Sequence, residues 1–117
     1  MKKILIAEDD PAIIDALTLI LGAEGYEVFT AKNEAQIHAG LAKKPDLLLL
    51  DIRLSGIDGR EICKMVKADN RYSKIPVLFM SANPDLEEIA QEACSDGFIR
   101  KPFEMAQLLA KLREYLS

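Results

Sequence analysis

The sequence predicts an α/β fold: a single doubly wound parallel sheet of five strands alternating with five helices. Three observations predict it. Leu47-Leu48-Leu49-Leu50 is an apolar run without alternation, so both of its faces must be covered, as in a central parallel strand between layers of helices. Similar runs occur at Ile4-Leu5-Ile6 and from Ile75 to Met80. Between these runs lie stretches with helical spacing, opened by capping residues or prolines and stopped by glycine or proline. Strand, helix and strand in repeated succession fold as right-handed crossovers.

Lys2–Ala7 reads as the first strand. In Glu8-Asp9-Asp10-Pro11, Pro11 suits a first helical position, which makes Asp10 the N-cap. That helix runs to about Glu24 with Ile13, Leu17, Ile20 and Leu21 on one face, and Gly25 stops it. Tyr26–Ala31 is a strand of β-formers. Asn33 opens the second helix, with Gln36 in a capping-box position and Ile37 and Leu41 inward, and the helix ends before Pro45. After the leucine strand, Asp58 and Glu61 form a cap-like pair for a helix that carries Ile62, Met65 and Val66. Asp69–Lys74 is a polar loop, and Ile75–Met80 is a strand ending at Ser81. Asn83-Pro84 is again a cap followed by a first-turn proline. The helix behind it turns Leu86, Ile89, Ala90 and Ala93 inward and Asp85, Glu87, Glu88 and Glu92 outward. Phe98-Ile99-Arg100 is a short fifth strand, closed by Lys101-Pro102. Glu104–Leu116 is the last helix, with Met105, Leu108, Leu109, Leu112 and Leu116 on its apolar stripe.

Composition narrows the functions. A chain of 117 residues, 50% of them hydrophobic, makes one domain (1–117) with a core that needs no disulfides. The net charge is -4, and no run of Lys or Arg stands out, which argues against direct binding of a nucleic-acid backbone. The apolar stretch after Met1-Lys2-Lys3 is too short for a signal peptide or a membrane span, so a cytoplasmic protein without membrane contact is expected. Cys63 and Cys94 lie far apart with no companion histidines and are expected as buried or half-buried reduced thiols. His38, the lone histidine, is expected in solvent.

Chemistry collects at the strand ends. Glu8 and Asp9 follow the first strand, Asp51 the third, Ser81 the fourth and Lys101 the fifth. In a parallel sheet these ends share one edge. If the strand order is 2-1-3-4-5, the first and third strands are neighbours and their acids meet at the switch point. Carboxylates that close repel by about 4 kcal/mol per pair at an effective dielectric of about 20. A hard divalent cation with oxygen ligands, Mg²⁺ above all, removes that repulsion. Asp51 could then attack phosphorus and become an acyl phosphate. The transition state spreads charge over the phosphoryl oxygens; the Ser81 hydroxyl and the Lys101 ammonium are donors for it.

These motifs resemble the receiver domain of two-component response regulators. The matching stretches are Ile6-Ala7-Glu8-Asp9-Asp10, Leu49-Leu50-Asp51-Ile52-Arg53-Leu54-Ser55-Gly56-Ile57-Asp58-Gly59, Ser81-Ala82 and Lys101-Pro102-Phe103, in family order along the whole chain. The resemblance implies a flavodoxin-like sheet of order 2-1-3-4-5, an order known from such proteins and not read from these residues. It implies that Asp51 is the phosphoacceptor and that Glu8, Asp9, Asp51 and the backbone carbonyl of Arg53 hold Mg²⁺. Ser81 and Lys101 would bind the phosphoryl group, with a cis peptide between Lys101 and Pro102. Phe98 would be the switch aromatic, turning inward as Ser81 moves and remodelling the surface of the fourth helix, fifth strand and fifth helix.

The implied function is regulatory rather than enzymatic. A sensor histidine kinase or phosphotransfer protein donates the phosphoryl group, and the switched surface engages a downstream protein target, an output domain or a second copy of the chain. The chain is expected either to stand free as a receiver or to belong to a larger regulator or hybrid kinase. An aspartyl phosphohydrolase of the haloacid dehalogenase type is the competing enzyme reading, but such enzymes need a second acid where Arg53 stands. A receiver that binds partners without phosphate is a third reading, against which the intact set of Glu8, Asp9, Asp51, Ser81 and Lys101 argues. Three departures from the family pattern stand out: Ser55 in place of proline, which loosens the loop, Phe98 in place of tyrosine, and Cys94-Ser95 in place of Gly-Ala. Arg53 and Asn83, two residues past Asp51 and Ser81, occupy positions that tune phosphate lifetime in this family.

Overall fold

Packing resolves the leucine run into two halves. Leu48 and Leu50 enter the core on one side of the sheet, while Leu47 and Leu49 enter the core on the other, and none of the four retains accessible surface. A computed structural model describes residues 1–54 and 56–116. Its strands are β1 (Lys3–Ala7), β2 (Glu27–Ala31), β3 (Leu47–Asp51), β4 (Val77–Ser81) and β5 (Gly97–Arg100). Its helices are α1 (Pro11–Ala23), α2 (Glu34–Leu41), α3 (Gly59–Ala68), α4 (Leu86–Glu92) and α5 (Met105–Leu116). The strands form one parallel sheet in the order β2-β1-β3-β4-β5.

Helices α1 and α5 cover one face through Leu17, Leu21, Leu108 and Leu112. Helices α2, α3 and α4 cover the other through Ile37, Leu41, Ile62, Val66, Leu86 and Ala90. Each fully buried leucine contributes about 1.5–3 kcal/mol by leaving water, so the central strand anchors both layers. Gly40 lets α2 lie close to β1: a Cβ there would sit 2.6 Å from a methyl of Leu5. Among the described residues no helix is long and apolar enough to cross a membrane.

The capping chemistry is local and agrees with the sequence at three helices. Asp10 accepts from Ala12 N at 2.9 Å, Asn33 from Gln36 N at 2.8 Å and Asp58 from Arg60 N at 2.9 Å. Gln36 reaches back to Lys32 N at 2.8 Å. Glu61 does not complete a similar pair with Asp58; it salt-bridges Lys64 at 3.6 Å.

Other expectations are corrected. β4 begins at Val77 rather than Ile75, because Pro76 has no N–H for the ladder. Helix α4 begins at Leu86, not behind an Asn83 cap. Asn83 Oδ1 instead accepts from Asp85 N at 2.8 Å, closing a turn that precedes the helix. On α1 the fully covered residues are Ile14, Leu17 and Leu21, while Ile13 and Ile20 are only half-buried. Met105, placed on the apolar stripe of α5, is 54% exposed at the first residue of that helix. Between β3 and α3 lies an antiparallel ribbon, Arg53–Leu54 paired with Ile57–Asp58, which periodicity over two residues could not reveal. Ser55, and with it the expected loosening of the loop, lies outside the described residues.

The cysteines differ from one another. Both are free; Cys63 is buried and burial pushes its thiol up to about 11, whereas Cys94 is exposed, not half-buried. Cys94 takes a left-handed φ of 59° just past α4. Its N–H donates to Gln91 O at 3.1 Å and that of Ser95 to Ala90 O at 3.0 Å, the paired bonds of a Schellman stop. Glycine would suit this position better than cysteine, since it enters the left-handed region without a Cβ penalty. We expect Cys94→Gly to raise unfolding stability by about 0.5–1 kcal/mol, the relief of strain less the added freedom of the unfolded chain. Urea titration of both proteins measures the difference.

Candidate functional site

Register assembles the site. β1 and β3 are neighbours with Ala7 opposite Leu50, so Glu8 and Asp51, each one residue further on, leave the same edge side by side. Glu8 N continues the ladder to β2 by donating to Ala31 O at 3.1 Å. On the other flank Asp51 faces Met80, Ser81 faces Arg100, and Lys101 N donates to Ser81 O at 2.9 Å. Five residues expected at the rim are therefore carried there by the ends of four adjacent strands.

Lys101 reaches back across the rim. Its ammonium lies 2.9 Å from Glu8 Oε2 and 3.1 Å from Asp51 Oδ2. Glu8 is 1% exposed, and its second oxygen accepts from the N–H groups of Asp9 and Asp10, each at 3.2 Å. Asp51 Oδ1 accepts from Arg53 N at 3.1 Å. Ser81 Oγ accepts from Asn83 N at 3.0 Å, which leaves the hydroxyl hydrogen available to donate elsewhere.

Carboxylates cluster in this notch. Glu8, Asp9 and Asp51 each offer a carboxylate oxygen within 4.8 Å of the others. Among the described residues, the Lys101 ammonium bonds two of these three carboxylates, Glu8 and Asp51. Burial raises the pKa of Glu8, and the nearby Asp51 carboxylate adds to that, against the hydrogen bonds from Lys101 and Asp10 N. For Lys101 burial acts in the opposite sense, but its bonds to Glu8 and Asp51 outweigh it and its pKa is raised. Three clustered carboxylate oxygens suit a hard divalent cation.

The resemblance drawn from the motifs holds across the chain. The sequence profile of the response regulator receiver domain matches residues 4–113. The chain belongs to that family. Among its relatives is the DNA-binding dual master transcriptional regulator RpaA of Synechocystis sp., 34% identical over 99% of this chain and 49% of RpaA. The chain spans about half the length of the curated relatives it matches. Chemotaxis protein CheY4 of Vibrio cholerae superposes with a TM-score of 0.90 at 27% identity, covering 99% of both chains. The receiver domain of the sensor histidine kinase PA1611 from Pseudomonas aeruginosa, solved with a magnesium ion coordinated in its active-site cleft, superposes with a TM-score of 0.87 at 25% identity over 97% of this receiver and 96% of that one.

Two features of the receiver's site were not anticipated. One is Gly59, at the start of α3, where a Cβ would lie 2.5 Å from Asp51 O and 2.8 Å from Ile52 Cα. Gly59 N also donates to Ile52 O at 2.6 Å, so α3 begins against the backbone that carries Asp51. A glycine at a first helical position, where propensity disfavours it, was the available signal. The other is an apolar cavity of about 430 Å³ beside Lys101, between α1 and the β5–α5 connection, lined by Ile13, Ala16, Ile20, Pro102 and Phe103. The excess of apolar residues on α1, more than one face can bury, was its signature. We expect Gly59→Ala to cost about 1–3 kcal/mol of stability, since the new methyl meets backbone rather than a side chain that can turn aside. Thermal unfolding of the variant checks this.

Proposed function

We propose that this receiver is phosphorylated on Asp51 by a histidine kinase or phosphotransfer protein and that the modification switches its protein contacts. The observation that carries the reading is the bridge from Lys101 to both Glu8 and Asp51, which gathers the whole donor set around one carboxylate. An Asp51 oxygen attacks the phosphorus of a phosphohistidine; the O–P bond forms, the P–N bond breaks, and the imidazole leaves with the electron pair. Lys101, already at 3.1 Å from Asp51 Oδ2, neutralises charge on one phosphoryl oxygen. The Ser81 hydroxyl donates to another, while its oxygen accepts from Asn83 N. Glu8, Asp9, Asp51 and the Arg53 carbonyl would hold Mg²⁺, which supplies a positive charge against the incoming phosphoryl oxygens. Arg53 and Asn83 flank the phosphoryl group and set its lifetime.

The donor must bring its phosphohistidine to this rim, and the cavity of Ile13, Ile20 and Phe103 beside Lys101 supports helical docking there. Phe98, half-buried against the α4 layer, serves as the switch aromatic, and the α4–β5–α5 surface meets the downstream protein, an output domain or a second copy. The acidic surplus of the chain supports the view that residues 1–117 form one phosphoacceptor domain that does not itself contact nucleic acid. A cytoplasmic location agrees with a kinase donor that uses ATP. The role is that of a substrate and switch, so steady turnover of a phosphate ester is not expected.

Two measurements test the reading. Incubation with acetyl phosphate and Mg²⁺ is expected to add about 80 Da, on the order of one phosphoryl group per chain, and Asp51→Ala abolishes it. Continuous release of phosphate at a high rate would point to the hydrolase instead, and an unlabelled wild-type protein to a phosphate-independent binder. Separately, Mg²⁺ at about ten times its dissociation constant is expected to raise unfolding stability by about 1.4 kcal/mol, visible as a higher thermal midpoint. Asp9→Asn is expected to remove most of that rise; an undiminished rise in the variant places the ion elsewhere.

A further inference from the structure

Arg100 ends β5 and has no part in the chemistry above. Its partner across the ladder is Ser81. Phe98 and Arg100 are two residues apart on one strand, so they share a face of the sheet, and Arg100 is the next residue on that face towards the phosphorylated rim. The guanidinium carbon lies 5.6 Å from the centre of the Phe98 ring. The same guanidinium crosses to the β4–α4 connection, where Nη1 donates to the Asn83 carbonyl at 3.3 Å. Asn83 N in turn donates to Ser81 Oγ at 3.0 Å. One planar side chain thus covers the aromatic ring and also grips the peptide segment that holds the serine hydroxyl. A guanidinium can do both at once, because its faces stack while its edges donate.

Phe98 rests with one side against the α4 layer and the other on an open hollow that Arg100 and Lys111 also line. Ser81 lies diagonally across from Phe98, one strand over and beside Arg100 in the ladder. We propose that Arg100 is a latch: its bridge between Phe98 and the Asn83 carbonyl holds the ring outward and the β4–α4 segment in its unphosphorylated form. Phosphorylation then works against this bridge, and Arg100 sets how much of the chain is switched before any phosphoryl group arrives. The inference rests on Phe98 being the switch aromatic.

The test reads the ring directly. Fluorophenylalanine replaces the four phenylalanines of the full chain, and the Phe98 fluorine signal is assigned by its loss in Phe98→Leu. The wild-type signal with acetyl phosphate and Mg²⁺, at full labelling by mass, defines the inward position. Without a phosphodonor, Arg100→Ala is expected to raise the inward-to-outward ratio about five- to seventyfold, the range that one exposed cation–π contact and one hydrogen bond can supply together. Lys111→Ala, which removes the other cation of the hollow, one paired with Glu114 at 3.5 Å, is expected to leave the fraction unchanged. An Arg100→Ala signal that stays at the wild-type unphosphorylated position overturns the latch, as does an equal shift in Lys111→Ala. A wild-type Phe98 signal that does not move on full labelling of Asp51 overturns the switch role of Phe98 and the latch with it.

Discussion

Lys101 Nζ stands 2.9 Å from Glu8 Oε2 and 3.1 Å from Asp51 Oδ2, and the rest of the site depends on that shared ammonium. Glu8 is almost without solvent, so its charge would be costly with no partner. Lys101 supplies the partner, and the N–H groups of Asp9 and Asp10 engage the other oxygen. Among the described residues, that ammonium bonds two of three clustered carboxylates. On the proposed reading, the negative charge where the strands end receives a divalent ion and then a phosphoryl group.

The scaffold beneath this cluster is apolar on both faces. Leu47 and Leu49 lock β3 to the α1–α5 layer, and Leu48 and Leu50 lock it to the α2–α3–α4 layer. A one-residue slip of β3 against β1 would leave Asp51 out of step with Glu8. It would also exchange the two leucine sets, so the register that fills the core is the one that builds the site. Gly59 completes the arrangement by letting α3 start against the Asp51 backbone. At the far end of the sheet, Asp46 and Asp96 play a plainly structural role. Asp46 accepts from Lys3 N at 2.7 Å, while Asp96 accepts from Val77 N at 2.7 Å and salt-bridges Lys67 at 2.6 Å. The acids of the two edges do different work because only one edge crowds them together.

On the proposed reading, switching begins from small displacements near Ser81. Its hydroxyl is held by Asn83 N, its strand partner is Arg100, and its carbonyl receives Lys101 N. The β4–α4 connection therefore meets the chemistry of the rim at one end and the seven-residue helix α4 at the other. Such a short helix, with no side-chain cap bond at Asp85, relies on tertiary packing of Leu86 and Ala90. An element of that kind is well suited to respond to a change a few ångströms away, since little intrinsic helix stability opposes its movement.

The elements themselves were legible because they follow from local rules. Unbroken apolar runs meant buried strands, and Asp10, Asn33 and Asp58 announced their helices by the caps they form. The family motifs then drew Glu8, Asp9, Asp51, Ser81 and Lys101 to one edge. What the sequence by itself determined was thus the succession of strands and helices and the identity of the polar residues that end them. Tertiary structure alone decided that α1 leaves Ile13 and Ile20 on an open groove and that Arg100 lies over Phe98. It also decided that Cys94 carries a left-handed turn and that Gly59 touches the Asp51 carbonyl. The physical reason is range: periodicity and capping act within a few residues, whereas exposure and side-chain contact depend on which distant segment arrives to cover a surface.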